Sequence, residues 1–368
     1  MEGAAYTVLV AMAPAPPPLI DALQEIQVDA SLEEASAFHL RFGITKTEIG
    51  DWSILDLDPF RPFVPVQIRV QRGVGPPEAV INGYVTEHRV TYAAEGGAST
   101  LEVSGMDVTY LMNLQETVKP WPNMSDSVIA AAIFGQHAVI PQVDPTSPVL
   151  IEPEGTTIQR GTDIRFLRQL ALRNGFDCYV QPEPLTGLDQ GYFKARQLLG
   201  LPQAVLSVSF GTETNVQDFS IRYDLSQPTA AVAAGLDVTT KSPQPALAPV
   251  ALELPMGIEG TLLRALPPPI VRPADTGLPR TAELQKAALA LVDRSAWSVV
   301  AEGTVGLDVA VLRPGGIVNI RGAGRLYNGS YLVTRVRHTI AQGHYEQRFE
   351  ARRNAVTETG AELYVEAG

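Results

Sequence analysis

Apolar and polar side chains alternate along several stretches in the first third of the chain. In Phe38–Ile44, and again in Val64–Val70, every second residue is apolar, which is typical of strands that bury one face in a core. Gly83 interrupts another apolar run, as a bulge or tight bend in a small barrel does. The sequence therefore predicts a first tube-like β-barrel over residues 19–118.

The hydrophobic period then changes to one that favours helices. Ser125 can cap one helix, and Thr162 or Asp163 can cap a second helix that stops at Gly175, because these residue types are favoured at helix ends. Short strand-like runs follow the second helix. The pattern predicts a small α/β module over residues 119–204.

Strand-like alternation returns after the module, but it is interrupted. Residues 242–279 are dense in proline, and since proline removes a backbone donor and fixes φ, we interpret this segment as a loop. A helix-like pattern then begins at Thr281. The last strands of the chain complete a second barrel, which is therefore split by an insertion.

The predicted fold class is α+β and mainly β, with two tube-like antiparallel β-barrel domains and an inserted small α/β module. The predicted organisation is a stiff, Pro-rich N-terminal arm outside the fold (1–18), the first barrel (19–118), the module (119–204), the split second barrel (205–241 and 296–356), the Pro-rich insertion and helix (242–295) and a C-terminal tail (357–368).

Three blocks near the C-terminus follow one another as turn, strand, glycine-containing loop, strand, turn and strand. They are Leu312–Ile320, Gly329–His338 and Tyr345–Arg352. This part of the chain resembles the C-terminal β-barrel of the phage late control protein D family, the tail-hub proteins. It is also similar to the matching part of the spike proteins of type VI secretion and extracellular contractile injection systems.

The resemblance extends upstream and covers most of residues 19–355. Val80–Thr86 and Leu101–Asp107 are similar to later strands of the family's first barrel, and Gly161–Leu170 with Asn174–Val180 is similar to its inserted α/β module. The spike proteins continue into further domains beyond the second barrel. We therefore expect the spike to be a separate polypeptide.

The resemblance implies a structural baseplate hub subunit of a contractile phage tail or phage-tail-like injection system. Three copies of such a subunit form a ring of six barrels, which adapts a hexameric inner tube to a trimeric spike. The implied partners are a homotrimer, the inner tube protein, a separate spike protein and baseplate wedge components. The implied location is cytoplasmic assembly, followed by incorporation into a virion or an extracellular or cytoplasmic contractile particle.

Composition and charge narrow the possible functions. The chain is 45% hydrophobic and 18% charged, as globular proteins are, and its net charge of −12 disfavours nucleic-acid binding. The N-terminus lacks the basic start of a signal peptide, and no apolar run approaches the roughly 20 residues that span a bilayer. We expect neither membrane insertion nor nucleic-acid binding.

Candidate catalytic and ligand-binding residues are sparse. Cys178 is the one cysteine, and its apolar neighbours favour a buried structural thiol. His338 and His344 could approach each other across a hairpin, and Asp56 and Asp58 could share a strand face. Surface histidines and a solvated loop are the favoured interpretations. The sequence predicts no catalytic, cofactor-binding or metal-binding residues, and no enzyme.

Arginines accumulate towards the C-terminal end of an otherwise acidic chain. A basic face that meets an acidic neighbour in the assembly is one interpretation, because arginine suits planar pairing at interfaces. Ordinary alternation of exposed strand positions is the other. The candidate interface residues are Arg313, Arg321, Arg325, Arg335, Arg337, Arg348, Arg352 and Arg353.

Two other functions stay open from the sequence. A tail-tip protein that binds a receptor or carbohydrate would also be rich in strands. A cell-wall hydrolase is the second alternative, because some tail hubs carry lytic domains, although no inserted domain of sufficient length is visible.

Overall fold

A computed structural model gives the structure of the chain. It describes residues 5–48, 50–55, 59–94, 99–147, 149, 151–152, 155–236, 241–265, 267–272, 281–341 and 343–364.

The N-terminal part contains seven strands and one short helix. These are β1 (Ala5–Val10), β2 (Ala13–Pro14), α1 (Pro17–Ala22), β3 (Leu23–Ser31), β4 (Ala37–Gly43), β5 (Pro65–Gln71), β6 (Glu78–Thr91) and β7 (Thr100–Met106). The middle part mixes strands with two longer helices. These are β8 (Glu116–Trp121), α2 (Asp126–Gln136), β9 (Ile140–Val143), β10 (Thr157–Thr162), α3 (Asp163–Asn174), β11 (Asp177–Pro182) and β12 (Asp189–Lys194).

The C-terminal part returns to strands around a further helix. Its elements are β13 (Ala204–Ser207), β14 (Val216–Tyr223), β15 (Ala230–Leu236), β16 (Pro243–Ala248), β17 (Glu259–Gly260), α4 (Thr261–Arg264), β18 (Ile270–Val271), α5 (Thr281–Ser295), β19 (Val299–Val305), β20 (Ile317–Arg321), β21 (Gly329–Ala341), β22 (His344–Arg353) and β23 (Ala355–Val356).

One large sheet dominates the molecule and confirms the mainly β, α+β fold class. Its strands run in the order β14-β19-β22-β21-β3-β4-β7-β6-β5-β1-β2, while β20 and β13 branch from β21. Within the described residues the strand order is open at β14 and β2. Antiparallel pairing of β21 with β3 joins the N-terminal and C-terminal strands. The two β regions, predicted as two barrels, therefore share one sheet.

Three hydrophobic cores lie behind this sheet and in the module. Side chains such as Ile26, Leu40 and Ile68 form the N-terminal core, and Val318 and Phe349 belong to the C-terminal core. The predicted helices of the module are present, and they pack in a core of their own. Ser125 caps α2, and Gly175 ends α3 with φ of 70°, a left-handed conformation that glycine adopts without strain.

The prediction of an extended arm outside the fold over residues 1–18 is wrong for residues 5–18, and residues 1–4 lie outside the described residues. Strand β1 pairs with β5 along all six of its residues, and Val8 and Val10 are buried in the N-terminal core. Pro17 lies in the first turn of α1, where a missing N–H leaves no helical bond unmade. The dense prolines obscured the alternation of Tyr6, Val8 and Val10.

The prediction of a loop over residues 242–279 is also wrong in part. Strand β16 pairs with β15, which in turn pairs with β18, and α5 packs on this small sheet through Leu284, Ala288 and Val292. Pro243 and Pro245 are tolerated because β16 is an edge strand. Residues 273–280 lie outside the described residues.

Candidate assembly surface

Eight long strands of the main sheet form two groups of four. We call β3, β4, β6 and β7 the N-terminal quartet, and β14, β19, β21 and β22 the C-terminal quartet. Across the sheet the C-terminal quartet reads β14-β19-β22-β21 and the N-terminal quartet continues as β3-β4-β7-β6. Each quartet thus places its strands in the order first, second, fourth, third, and in the same direction. Units that follow one another around the axis of a ring keep their strand order in this way, whereas a twofold axis perpendicular to the sheet would reverse it.

The longest strand of each quartet carries the same irregularity. The pairing of β6 with β7 shifts between Val85 and Glu87, and that of β21 with β22 shifts between Val333 and Arg335. At both bulges a threonine donates its hydroxyl to a carbonyl oxygen of the neighbouring strand. The two bonds are Thr86 Oγ1 to Ser104 O at 3.3 Å and Thr334 Oγ1 to Glu350 O at 3.2 Å.

These bulges align the two quartets residue by residue. Val85–Thr91 corresponds to Val333–Thr339, and four of the seven residues are identical. Before the bulge, the long strands pair with a further strand in the same register, since Tyr84 faces Pro65 of β5 and Leu332 faces Ile317 of β20. The two quartets are therefore an internal repeat.

After the bulge, the two long strands differ in what covers them. The free side of β21 pairs with β3 from Arg335 opposite Ser31 to Ala341 opposite Glu25, and we call this junction the seam. Val336, His338 and Ile340 on β21 are consequently buried, with at most 3% exposure. The corresponding stretch of β6 pairs with β7 alone in the described part of the chain.

The side chains on β6 and just after it show the difference, although the ring of Tyr92 lies 4.9 Å from that of Trp52 and the ring of His88 6.4 Å from that of Phe60. His88 and Val90 correspond to Val336 and His338 but are exposed and half-buried. Tyr92, which corresponds to Ile340, is 59% exposed. Strand β14 is open in the same way, because among the described strands it pairs only with β19. In the described part of the chain, the eight strands of the two quartets thus leave two unpaired edges, that of β14 and that of β6 after its bulge.

Charged side chains cover the outer face of the sheet around the seam. Arg337 donates from Nε to Asp29 Oδ1 at 2.8 Å, and Arg335 Nε lies 3.8 Å from the same oxygen. Arg348 lies 3.9 Å from Glu302 on the neighbouring strand. A shallow hollow of about 180 Å³ lies among these side chains. The side chains of Arg337 and Arg348 are 46% and 67% exposed, so this face is a solvated surface. Each exposed ion pair on it stabilises the fold by at most about 1 kcal/mol.

The eight candidate arginines do not form one basic face. Arg335, Arg337, Arg348 and Arg352 lie on the outer face of the sheet and pair with acidic side chains of the same chain. Whether this surface meets an acidic neighbour stays a prediction.

The other four candidate arginines lie elsewhere. Arg321 pairs with Glu213, Arg325 is exposed, and Arg313 donates to Ala79 O and to Glu78.

The assignment of Arg353 to the interface is wrong. Its side chain is fully buried and donates to three backbone oxygens, those of Met256, Asn328 and Thr357. Alternation along β22 places it on the buried face with Phe349 and Ala351, and the insertion and two loops close over it. Arg353 therefore acts as an internal anchor between these segments.

Buried titratable groups lie where the two quartets meet the module. His338 Nδ1 is 2.8 Å from the hydroxyl of Tyr345, and burial, aided by Arg313, lowers the pKa of His338 to about 3. Asp189 accepts a hydrogen bond from Asn82 at 3.0 Å, and burial raises the pKa of this carboxyl to about 6. These groups are held by protein partners on different segments, as in a structural joint.

The remaining candidate residues from the sequence are placed as follows. Cys178 is buried as predicted, and burial raises the pKa of its thiol to about 12. His338 and His344 are not brought together, because His338 faces Gln347 across the hairpin while His344 is exposed at its end. Asp56 and Asp58 lie outside the described residues.

The described residues contain no group of three or more His, Cys, Asp or Glu side chains placed to hold a metal ion. None of their helices is both long and apolar enough to cross a membrane.

Sequence reasoning missed the two open strand edges, although a signal for them exists. The repeated pattern that begins Val85-Thr86 and Val333-Thr334 marks the two long strands as equivalent. Comparing the partners of equivalent strands then shows which edge lacks one.

Comparison with solved structures relates the whole chain to tail proteins. A tail protein from Neisseria meningitidis MC58 is 14% identical with a TM-score of 0.67, and the match covers 98% of this chain and 100% of that chain. The 43 kDa tail protein of prophage MuSo2 from Shewanella oneidensis is 15% identical with a TM-score of 0.64, covering 95% and 98%. A component of the E. coli type VI secretion system is 11% identical with a TM-score of 0.56, covering 94% and 76%.

At these identities the likeness is one of fold. It confirms a tail-protein fold over the whole chain, while the narrower assignment to the late control protein D family stays a prediction. No curated protein sequence matches the chain. The model of the Alg8 N-terminal domain family matches residues 20–342. The chain therefore belongs to the Alg8 N-terminal domain family.

Proposed function

We propose that this chain is a structural hub subunit of a phage-tail-like contractile particle, and that three copies join a hexameric inner tube to a trimeric spike. The observation that carries the proposal is the repeat of the two quartets in one continuous sheet. Three copies of a chain with two equivalent units present six units around one axis. A surface of this kind suits a sixfold tube on one side and a threefold spike on the other.

The direction of the repeat supports a ring. The quartets follow each other head to tail, so the last strand of one meets the first strand of the next at the seam. Head-to-tail contacts generate rings when the rotation closes. The open strands β14 and β6 lie at the two ends of this arrangement and leave it able to continue into further copies.

The difference between the two faces of the sheet supports a role for the outer face in lining a channel. The inner side is packed into two cores, whereas the outer side around the seam carries paired charges such as Arg337 and Asp29. A solvated charged face is compatible with lining an aqueous passage. The tail-protein fold of the structural neighbours adds support for a place in a tail-like particle.

The proposed role is mechanical and needs no catalysis. In this role, the inner tube protein, the spike and baseplate wedge components are the partners, and the chain assembles in the cytoplasm before it enters the particle. The perturbed groups at the joint fit this role, since Asp189 and His338 are engaged in contacts between segments.

Native mass spectrometry of the purified chain and imaging of the particle test the proposal together. We expect an assembly of three copies, and a gold label on the chain located at the junction of tube and spike. A label on a peripheral fibre would contradict the hub and favour a tail-tip binding protein. Release of peptidoglycan fragments by the purified chain would contradict a purely structural role.

A further inference from the structure

We propose that the open edge of β6 pairs antiparallel with the open edge of β14 of a second copy of this chain, and that this contact repeats the seam between β21 and β3. The inference rests on the proposed trimer but specifies which strands meet and in which register. The occupant of each open edge is thus the same chain, because the seam already shows a quartet binding the first strand of the next quartet.

The register follows from the internal repeat. The bulges make His88 equivalent to Val336, and Ser104 equivalent to Glu350. Ser104 faces His39, which faces Gln27 on β3, while Glu350 faces Glu302, which faces Ser220 on β14. Gln27 and Ser220 are therefore equivalent positions on the first strands of the two quartets.

The pairing register of the seam predicts which residues of the two open edges face each other. In the seam, Val336 faces Ala30 and Thr339 faces Gln27. The equivalent contacts between two copies place His88 opposite Tyr223 and Thr91 opposite Ser220. The pairs between them are Arg89 with Arg222 and Val90 with Ile221.

The side chains at these positions suit such a contact. Val90 and Ile221 are both half-buried in one copy and face the inner side, as do their equivalents His338 and Val28, which the seam buries. Pairing would bury them in the same way. Non-polar area removed from water stabilises the contact by about 25 cal/mol per Å².

The outward charges also find partners across the proposed contact. Arg89 would face Arg222, and Glu87 would face Asp224, which is unfavourable for each pair in isolation. Each arginine has an acidic residue of the other copy at the diagonal position, Asp224 for Arg89 and Glu87 for Arg222. Long side chains reach such diagonal neighbours, which are about 7–8 Å away between Cα atoms.

A bulge in β14 is compatible with this pairing. The pairing of β14 with β19 shifts between Gln217 and Ser220, and bulges often protect free edges against other chains. However, β3 has a similar shift between Leu23 and Glu25 near the same end, and it nevertheless pairs with β21 in the seam. The residues of β14 from Ser220 to Tyr223 lie beyond the bulge and remain available.

Engineered cysteines test the register. Thr91 and Ser220 are both exposed on the outer face, and the native Cys178 is buried. Directly opposed residues of antiparallel strands have Cα atoms about 4.5–5.5 Å apart, within the disulfide range. The variant Thr91→Cys/Ser220→Cys should therefore form cross-linked oligomers under mild oxidation, measured on non-reducing gels.

The matched control is Thr91→Cys/Arg222→Cys, which uses the same face but shifts the register by two residues. Its cysteines would lie beyond about 7 Å, so we expect roughly tenfold less cross-linked product. Mixing the two single variants Thr91→Cys and Ser220→Cys should give cross-linked dimers, which shows that the bond joins different copies.

The outcomes separate the contact from the proposed function. Three copies by native mass, with cross-linking in the matched pair above the control, support both. Three copies with equal or no cross-linking in the two double variants overturn the register and leave the trimeric hub standing. Specific cross-linking in an assembly of another copy number supports the strand contact and overturns the trimer. Monomers without cross-links contradict both.

Discussion

The two quartets share their strand order and their bulges but fill their cores differently. In the N-terminal quartet, the ring of Phe38 lies over Gly83 and Gly105, where an added Cβ would clash with the ring. The equivalent residues in the C-terminal quartet are Ala301, Tyr331 and Ala351, all fully buried. The large side chain that fills this space is thus Phe38 on β4 in the N-terminal quartet and Tyr331 on β21 in the C-terminal quartet.

This exchange shows which features the repeat preserves. Pairing register and bulge position are kept because a shift by one residue would turn every side chain to the other face. Side-chain volume need only be conserved in sum, since cores tolerate redistribution when the space stays filled. The quartets also differ at their last strand, which is covered in one and open in the other.

Introducing a charge at equivalent positions of the covered and open strands should give the largest effect. Val336→Asp places a carboxylate in the seam, and we expect the free energy of unfolding to fall by about 4 kcal/mol or more, because an unpaired charge would be buried. His88→Asp should change it by less than about 0.5 kcal/mol, since the position is exposed.

Urea unfolding of both variants, at a concentration where the chain is monomeric, makes the measurement. Similar losses in the free energy of unfolding for the two variants would mean that the open edge is already covered within one chain. This result would contradict the difference between the two quartets.

Replacing the core packing of the N-terminal quartet with that of the C-terminal quartet should have the next largest effect. Phe38→Ala leaves a cavity over two glycines and should lower the free energy of unfolding by about 3 kcal/mol. Gly83→Tyr alone should be destabilising because its side chain meets the Phe38 ring. The double variant copies the C-terminal quartet and should lose less than the sum of the single variants.

A double-mutant cycle by chemical denaturation measures this coupling. Strict additivity of the two losses would refute the proposed equivalence of these positions.

Acid should destabilise the seam through His338. Burial holds the pKa of His338 at about 3, below the ordinary value of 6.5, so the unfolded chain binds more protons below pH 6.5. Stability is therefore lost as the pH falls. Relative to His338→Val, which copies Val90 of the other quartet, the unmodified chain should lose about 2 kcal/mol between pH 6.5 and 5.

The variant also serves as the control for other groups. Burial raises the pKa of Asp189 to about 6 and that of Glu253 to about 7, which lowers stability as the pH rises. These effects cancel in the difference between the two proteins. Equal pH profiles of unfolding would contradict a buried, neutral His338.

The smallest expected effect concerns the two bulge threonines. Thr86→Val and Thr334→Val each remove a hydroxyl bond to the neighbouring strand, and each should lower the free energy of unfolding by about 1 kcal/mol. The loss should be larger at Thr334, which also donates to the Glu350 carboxylate at 3.0 Å. Thermal unfolding of the pair checks this, and a larger loss at Thr86 would contradict it.

Much of the fold could be predicted from the alternation of residue types. Period-two runs such as Phe38–Ile44 became strands, and the caps at Ser125 and Gly175 delimit helices. Strand β1, which precedes a run of prolines, and β16, which contains Pro243 and Pro245, were missed because tertiary pairing rather than propensity holds them. Local sequence does not state which distant strand will pair with an edge.

The candidate surface was predictable only in part. Alternation along β22 separates Arg353, which shares the buried face with Phe349 and Ala351, from Arg348 and Arg352 on the outer face. Grouping the arginines by charge alone therefore combined the exposed Arg337 with the buried Arg353, which donates to Met256 O. The open edges depend on a comparison of distant repeats, which no single window of sequence provides.

A cryo-EM reconstruction of the assembled chain, determined without imposed symmetry, would show whether the quartets form a ring. We expect three copies that present six equivalent quartets around one axis, with junctions that alternate between the seam and the contact of β6 with β14. A reconstruction with another copy number, or one in which the quartets of a chain are not related by rotation about the common axis, would contradict this arrangement.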